Sequence, residues 1–247
     1  YKSTVERFIE TARRLEPDKP IMAVIPPLGW EHVRNLLDLY EQKNIKAFCL
    51  NLDRRRITAG RQVAMVKPLA RHLARQDMVR GSFTYLINPD PYGERFDEER
   101  CAAADIAAFG MGVDAVGDCH ISPGGFGGDG DQEAPTTFRL FNKDTYVYED
   151  VPLETLEDHL PSDTGFDVDR VATRSRQSRE SQMYQMQKLV NMEQIAMAGR
   201  DVQGHSRAEI FENLSQKAGV TESTQEAFES VRDGYDNGDS QTGLSDF

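Results

Sequence analysis

Four things are scarce or missing in this sequence, and each absence closes off a class of function. Cysteine is the first: 247 residues hold three, Cys49, Cys101 and Cys119. An odd number at wide spacing, with no CxxC or CxC, points to reduced thiols in a cytosol. It excludes a disulfide framework and a thiolate zinc site. Long apolar runs are missing too. None approaches the roughly 18 residues a membrane helix needs. No basic segment leads into an apolar one as in a signal peptide, so a soluble, cytoplasmic protein with no membrane partner is expected. Lysine is scarce: of 29 basic residues only eight are lysine, the rest arginine, against 41 acids and a net charge of −12. Beside the plain alternative of an acidic cytosolic protein, abundant carboxylates with little lysine point to the surface of a halophilic protein, where concentrated salt screens repulsion within about 3 Å at 1 M. In such a setting net acidity does not exclude a nucleic-acid partner. Finally, no Gly-rich dinucleotide fingerprint follows any expected strand, which disfavours a Rossmann fold.

What is present is an alternation. Val5, Phe8, Ile9, Ala12 and Leu15 fall at helical spacing and end at Pro17 and Pro20. Residues 21–25 (IMAVI) read as a buried strand stopped by Pro26-Pro27, 31–42 as an amphipathic helix, and 45–52 (IKAFCLNL) as the next strand. A helix over 59–75, a strand over 82–87, a polar turn through Pro89, Pro91 and Gly93, a helix over 98–109 and a strand over 113–116 complete four βα alternations. Short apolar strands buried on both faces predict an α/β fold with a parallel sheet. Four units make half of a TIM-type (β/α)8 barrel or part of an open doubly wound sheet. The sequence enters on a helical pattern at Tyr1, so the C-terminal part of a longer protein, completed by its missing half or by a partner, is expected.

Beyond the fourth strand the character changes. Residues 122–132 (SPGGFGGDGDQ) hold five glycines and read as a loop, and 138–151 (FRLFNKDTYVYEDV) as a hairpin about Asn142-Lys143-Asp144. A polar stretch over 154–169, a long helix over 174–198 and a shorter one over 208–218 follow. The expected division is a partial barrel with loop and hairpin over 1–152, a helical region over 153–232, and an acidic, disordered tail over 233–247.

Parallel α/β folds place their chemistry at the carboxyl ends of the strands. There the sequence puts Asn51 and Asp53, Asn88, then Gly117-Asp118-Cys119-His120. Asn51, Asp53, Asn88, Gly117 and His120 are candidate substrate-binding residues. Asp118, where a buried strand opens into a glycine loop, is the candidate nucleophile or general base; as a structural residue it would cap the next turn, with Asp114 as partner. Arg54-Arg55-Arg56, the one basic cluster, is suited to a phosphate backbone, although a solvated charge run is the commoner outcome. Cys119 and His120 point to opposite faces of a strand and find no second spaced pair, so no metal site is expected.

The order of these parts resembles the tRNA-guanine transglycosylases. GVDAVGDCHISPGG (112–125) is similar to the family's nucleophile strand, G-V-D-x-F-D-C-V-x-P-T-R, with one extra residue before the Asp-Cys pair. FRLFNKDTYVYEDV takes the place of the family's G-x-L-F-x-x-x-G hairpin, and VIPPLGWEHVRNLLDLY resembles the strand and helix after its VQGG motif. The helix around Leu189-Val190-Asn191 resembles its C-terminal helices. The resemblance spans about residues 20 to 200, as the second half of the barrel and the helical end. It implies that Asp118 attacks the ribose C1′ of a guanosine, expels guanine and is displaced by a deazaguanine-type base. The implied partners are tRNA or DNA and the free base, without a cofactor, in a homodimer or with a catalytic partner. The chain departs from the pattern in three places. The zinc motif C-x-C-x-x-C is absent from 153–170, Asn51-Leu52-Asp53-Arg54 replaces the G-G-x-x-V-G-E loop, and Ser122-Pro123-Gly124 replaces P-T-R. Two other readings stand beside this one: a non-catalytic paralogue that binds nucleic acid or a catalytic partner, and an unrelated TIM-barrel enzyme acting on a small phosphorylated metabolite.

Overall fold

A computed structural model describes residues 1–79, 81–117, 136–177, 180–202, 205 and 207–236. The chain divides into two compact units. The first takes the described residues of Tyr1–Asp90, Ala108–His120 and Glu222–Phe247; the second takes those of Pro91–Ala107 and Ile121–Thr221.

The first unit is built on a parallel sheet of β1 (Met22–Ile25), β2 (Ala47–Arg55), β3 (Phe83–Pro89) and β6 (Ala115–Val116), in that spatial order. Strands that advance in one direction through right-handed crossovers put every connecting helix on the same face. The burial follows that rule. Ala23 and Ile25, Phe48, Leu50 and Leu52, and Thr84 and Leu86 are buried beneath the helices, whereas Met22, Val24 and Phe83 on the other face are exposed. The helical layer is α1 (Lys2–Leu15), α2 (Trp30–Gln42), α3 (Gly60–Arg75) and α8 (Glu222–Asp236), each packed against the next. The first two crossover helices end alike. Asn44 and Asp77 take the left-handed conformation just past α2 and α3, and Ile45 and Met78 donate back to the Tyr40 and Leu73 carbonyls. That is the Schellman stop, here with Asn and Asp, which tolerate positive φ better than other side chains.

The third crossover departs from the expected pattern. Instead of a turn and a helix over 98–109, the chain forms β4 (Tyr92–Arg95), β5 (Arg100–Ala103) and a 3-10 turn at Ile106–Met111. The alanine-rich run is helix-prone, yet the Asp97 carboxylate accepts the N–H groups of Glu99 and Arg100 and shapes a turn instead. Residues 100–102 then pair with Glu149, Tyr148 and Val147, so a tertiary partner overrides propensity. The place beside α3 is filled from far along the chain by α8, whose fully buried Phe228 lies against Gly110.

The second unit holds an antiparallel sheet in the order β4-β5-β8-β7. The expected hairpin is present as β7 (Thr137–Asn142) and β8 (Val147–Pro152), with the Asn142 carboxamide oxygen accepting the Asp144 and Thr145 N–H groups in the turn. Short helix α4 (Leu156–His159), α5 (Val168–Gln177), α6 (Glu180–Val202) and α7 (Arg207–Ser215) follow, so the single helix expected over 174–198 becomes α5 and α6. Helix α6 closes the β7 edge. Asn191 accepts from the Phe141 N–H and donates to the Arg139 carbonyl, and Gln187 accepts from the Arg139 N–H, replacing an absent strand partner. The core beneath comprises Phe138, Leu140, Val151, Leu153, Leu156, Leu160, Ala172, Met183 and Val190. The fold is thus mixed α/β with one open parallel and one antiparallel sheet, and no closed barrel forms among the described residues. No described helix is long and apolar enough to cross a membrane.

Candidate functional site

The carboxyl ends of β2, β3 and β6 bring several of the expected residues together. Along the face of the sheet away from the helices the side chains stack in layers: Met22, Ala47 and Phe83; then Val24, Cys49, Tyr85 and Ala115; then Asn51 and Ile87. The layers run from apolar to polar toward the strand ends. There the Asn88 amide donates to the Asn51 side-chain oxygen at 3.1 Å, and the same oxygen accepts the Asp53 N–H at 3.1 Å. Asn51 is thereby fixed with its carbonyl turned inward on the cluster.

The backbone at this edge is irregular. Asn51 pairs with Ile87 and Arg55 with Pro89, so three residues of β2 lie opposite one of β3. Asp53, Arg54 and Asn88 all adopt positive φ, at 51°, 58° and 54°. For Arg54 that conformation is uncommon and costs about 1–3 kcal/mol. Bulges of this kind re-aim side chains at strand ends and recur beside active sites. This one turns Asp53 and Arg54 outward, where both are exposed. The Arg55 carbonyl accepts the Asp90 N–H, and Arg56 faces the Asp90 carboxylate at 3.7 Å. Arg54 and Arg55 lie on the end of β2 rather than on the expected loop, Arg56 lies just past it, and all three are exposed.

Gly117 closes the group. Its N–H donates to the Leu86 carbonyl at 2.7 Å, and a Cβ there would collide with the Tyr85 hydroxyl. Glycine is needed at this point because the phenol of the neighbouring strand occupies the space a side chain would fill. Asp118, Cys119, His120 and the glycine loop lie outside the described residues. Asp114 has a structural role, since its carboxylate accepts the Thr84 N–H at 2.7 Å and pins the start of β6 to β3.

Two residues of this region were not anticipated from the sequence. Tyr85 was hidden in a strand, although its two-residue spacing from Ile87 on the face of Asn51 could have exposed it. Gln62, in the first turn of α3 just past the end of β2, is fully buried, and neither its carbonyl oxygen nor its amide nitrogen finds a partner among the described residues. Cys49, on the same face as Asn51, is buried, and burial pushes its thiol pKa up, away from a reactive thiolate. Cys101 is likewise buried.

Elsewhere the second unit carries two surface hollows. One, of about 310 Å³, is lined by residues including Tyr146, Asp201 and Lys217; the other, of about 360 Å³, by Lys143, His159 and Asp163 among others. Both are lined by residues of the second unit alone. Compared with models of known families, with curated proteins and with solved structures, the chain matches none.

Proposed function

We propose that the chain carries the catalytic half of a base-exchanging pentosyltransferase of the tRNA-guanine transglycosylase type, with its first unit as one half of a (β/α)8 barrel. The observation that carries this reading is the sheet. Four parallel strands in sequential order, helices on one face and stacked side-chain layers on the other make the pattern of barrel strands around a filled interior. Phe8, Leu15, Met22 and Val24 are exposed on α1 and β1, at the edge where a neighbouring βα unit would pack. The polar cluster of Asn51, Asn88 and Tyr85 then stands at the end of the barrel where such enzymes keep their sites.

Asp118 follows Gly117 directly. In this reading its carboxylate attacks the ribose C1′, the glycosidic bond breaks, and guanine leaves after taking a proton from solvent water. A second base, losing its own proton to solvent water, then displaces the carboxylate from C1′. Asn51 and Asn88 offer fixed amide dipoles to the departing and arriving base, and His120, two residues after Asp118 in the sequence, is a further candidate for binding it. Asp53 stands at the rim, and Arg54, Arg55 and Arg56 supply positive charge for the phosphates of a tRNA or DNA strand.

The test is incorporation of labelled guanine into tRNA or double-stranded DNA at molar potassium chloride, comparing wild type with Asp118→Asn. Incorporation that disappears in the variant is the expected result and identifies the polymer. A folded wild-type protein that labels neither polymer overturns the reading. Retained nucleic-acid binding would then indicate a non-catalytic paralogue, and its absence an unrelated enzyme.

A further inference from the structure

Away from the strand ends, at the opposite end of the same helical layer, three metal-ligating side chains converge. Asp38 and Glu41 lie three residues apart on α2, which puts both carboxylates on one helix face. His72 lies in the last turn of α3, the helix packed beside α2. One donor atom from each of the three lies within 4.8 Å of the other two. We infer that Asp38, Glu41 and His72 form a binding site for one divalent transition-metal cation that pins α2 to α3.

The imidazole argues for a ligand independently of the acids. The His72 side chain is only 10% exposed, and the nearest carboxylate oxygen, Glu41 Oε2, is 4.0 Å from Nδ1, too far for a hydrogen bond. Neither ring nitrogen makes a hydrogen bond among the described residues. The ring thus faces two carboxylates without a hydrogen bond to either, and its contact with Glu41 at 4.0 Å is an ion pair only when the ring is protonated. Metal–ligand bonds of about 2.0–2.2 Å require donor atoms roughly 3.4 Å apart. Closing from 4.8 Å is a rotamer adjustment for Asp38 and Glu41, both of which are exposed.

The donor set selects the ion. One nitrogen and two carboxylate oxygens suit zinc, cobalt or manganese. Calcium and magnesium prefer all-oxygen sites, and copper(I) prefers thiolates. Two carboxylates neutralise a dication, and three protein ligands leave a position for water. Arg75, in the same last turn of α3, is the opposing charge in the neighbourhood. The carboxyl end of each of these helices leads toward the amino end of the following strand, so the site lies on the side of the sheet associated with stability rather than chemistry. It is independent of the transglycosylase reading.

The experiment is equilibrium dialysis of the full chain, stripped with EDTA, against zinc and cobalt at fixed salt. The variants are Asp38→Asn, Glu41→Gln and His72→Gln. The expected result is one ion per chain with a saturable rise in Tm. Affinity should fall at least about tenfold in each variant, since outer-shell partners alone are worth about 10–100-fold. The cobalt adduct should lack a thiolate charge-transfer band, which separates this site from the cysteines. Asp38 and Glu41 are exposed, so their variants test ligation without disturbing the core. No uptake, uptake equal in all three variants, or a thiolate band overturns the inference.

Discussion

Gln62 offers the sharpest test of the site's energetics. It is fully buried in the first turn of α3, and its carboxamide oxygen and nitrogen are both without partners among the described residues. A buried, unsatisfied polar group costs about 1–3 kcal/mol. Methionine matches glutamine closely in volume and flexibility and has no strong polar atom to satisfy. Gln62→Met should therefore remove two desolvation penalties, about 2–6 kcal/mol together, less about 1 kcal/mol for imperfect repacking. The expected net gain is about 1–5 kcal/mol. At about 2–4 °C per kcal/mol for a chain of this size, a Tm rise of several degrees should follow, with a higher urea midpoint at unchanged m-value. A loss of stability of similar size would refute the reasoning, because it would mean that the amide is satisfied in the folded protein. A gain in stability accompanied by loss of base exchange would instead assign the amide to substrate, which fits its place just past the end of β2.

Other perturbations have equally definite outcomes. Gly117→Ala forces the Tyr85 ring from its position and should cost about 1–3 kcal/mol by overpacking, read by urea denaturation, while lowering any base exchange. Phe228→Ala should cost about 3–5 kcal/mol, because the ring is fully buried against Gly110; an effect under 1 kcal/mol would dissociate α8 from the first unit. Cys49 and Cys101 should react with a thiol reagent only as fast as the protein opens, so that denaturant accelerates both; fast labelling of Cys49 in the native state, followed by peptide mapping, would contradict its burial. With metal removed, burial holds the His72 pKa below the ordinary 6.5, with Glu41 and Asp38 opposing and Arg75 reinforcing the shift. The neutral ring is favoured in the folded state, so its stabilising contribution is complete above pH 6.5. That contribution is lost as pH falls from 6.5 through the depressed folded value, and the pH dependence of stability should flatten in His72→Gln.

The parts of the fold legible in the sequence were those decided locally. Residues 21–25, 31–42, 59–75 and 138–151 carry their own periodicity and stops, and the structure forms β1, α2, α3 and the β7–β8 hairpin there. At the strand ends the same local logic brings two of the candidate residues together. Asn51 and Asn88 are polar residues ending apolar runs, and they meet at 3.1 Å. What escaped was decided by distant partners. The run around Ala102 to Ala104 has helical propensity but becomes β5, because β8, more than forty residues on, offers a ladder. Tyr85 gains its meaning only when register sets it over Gly117. Gln62 looks like an ordinary polar residue of an amphipathic helix, and His72 like a surface residue of the same helix, until packing buries them. No local pattern records a burial created by a neighbouring element.

The broken third crossover explains more of the architecture than the regular ones do. After β3 the chain leaves for β4 and β5 and returns for β6, and the next described residues after Gly117, from Thr136 on, again belong to the second unit. Both departures are at the carboxyl ends of adjacent parallel strands, so the second unit is, in sequence, an elaboration of the loops that carry function in such folds. The helix that would have followed β3 is then missing from the layer over the sheet, and α8 takes its place. Its Phe228 fills the space beside Gly110, and Ser230 accepts from the Lys67 ammonium at 3.4 Å. The C-terminal helix is therefore a structural requirement of the first unit rather than an appendage of the helical region. A chain ending at Thr221 should lose the cooperative unfolding of the parallel sheet. Re-adding residues 222–247 as a separate peptide should restore part of it, measured by hydrogen exchange at β2 and β3. Unchanged protection of those strands in the truncated chain would show that the sheet holds without α8.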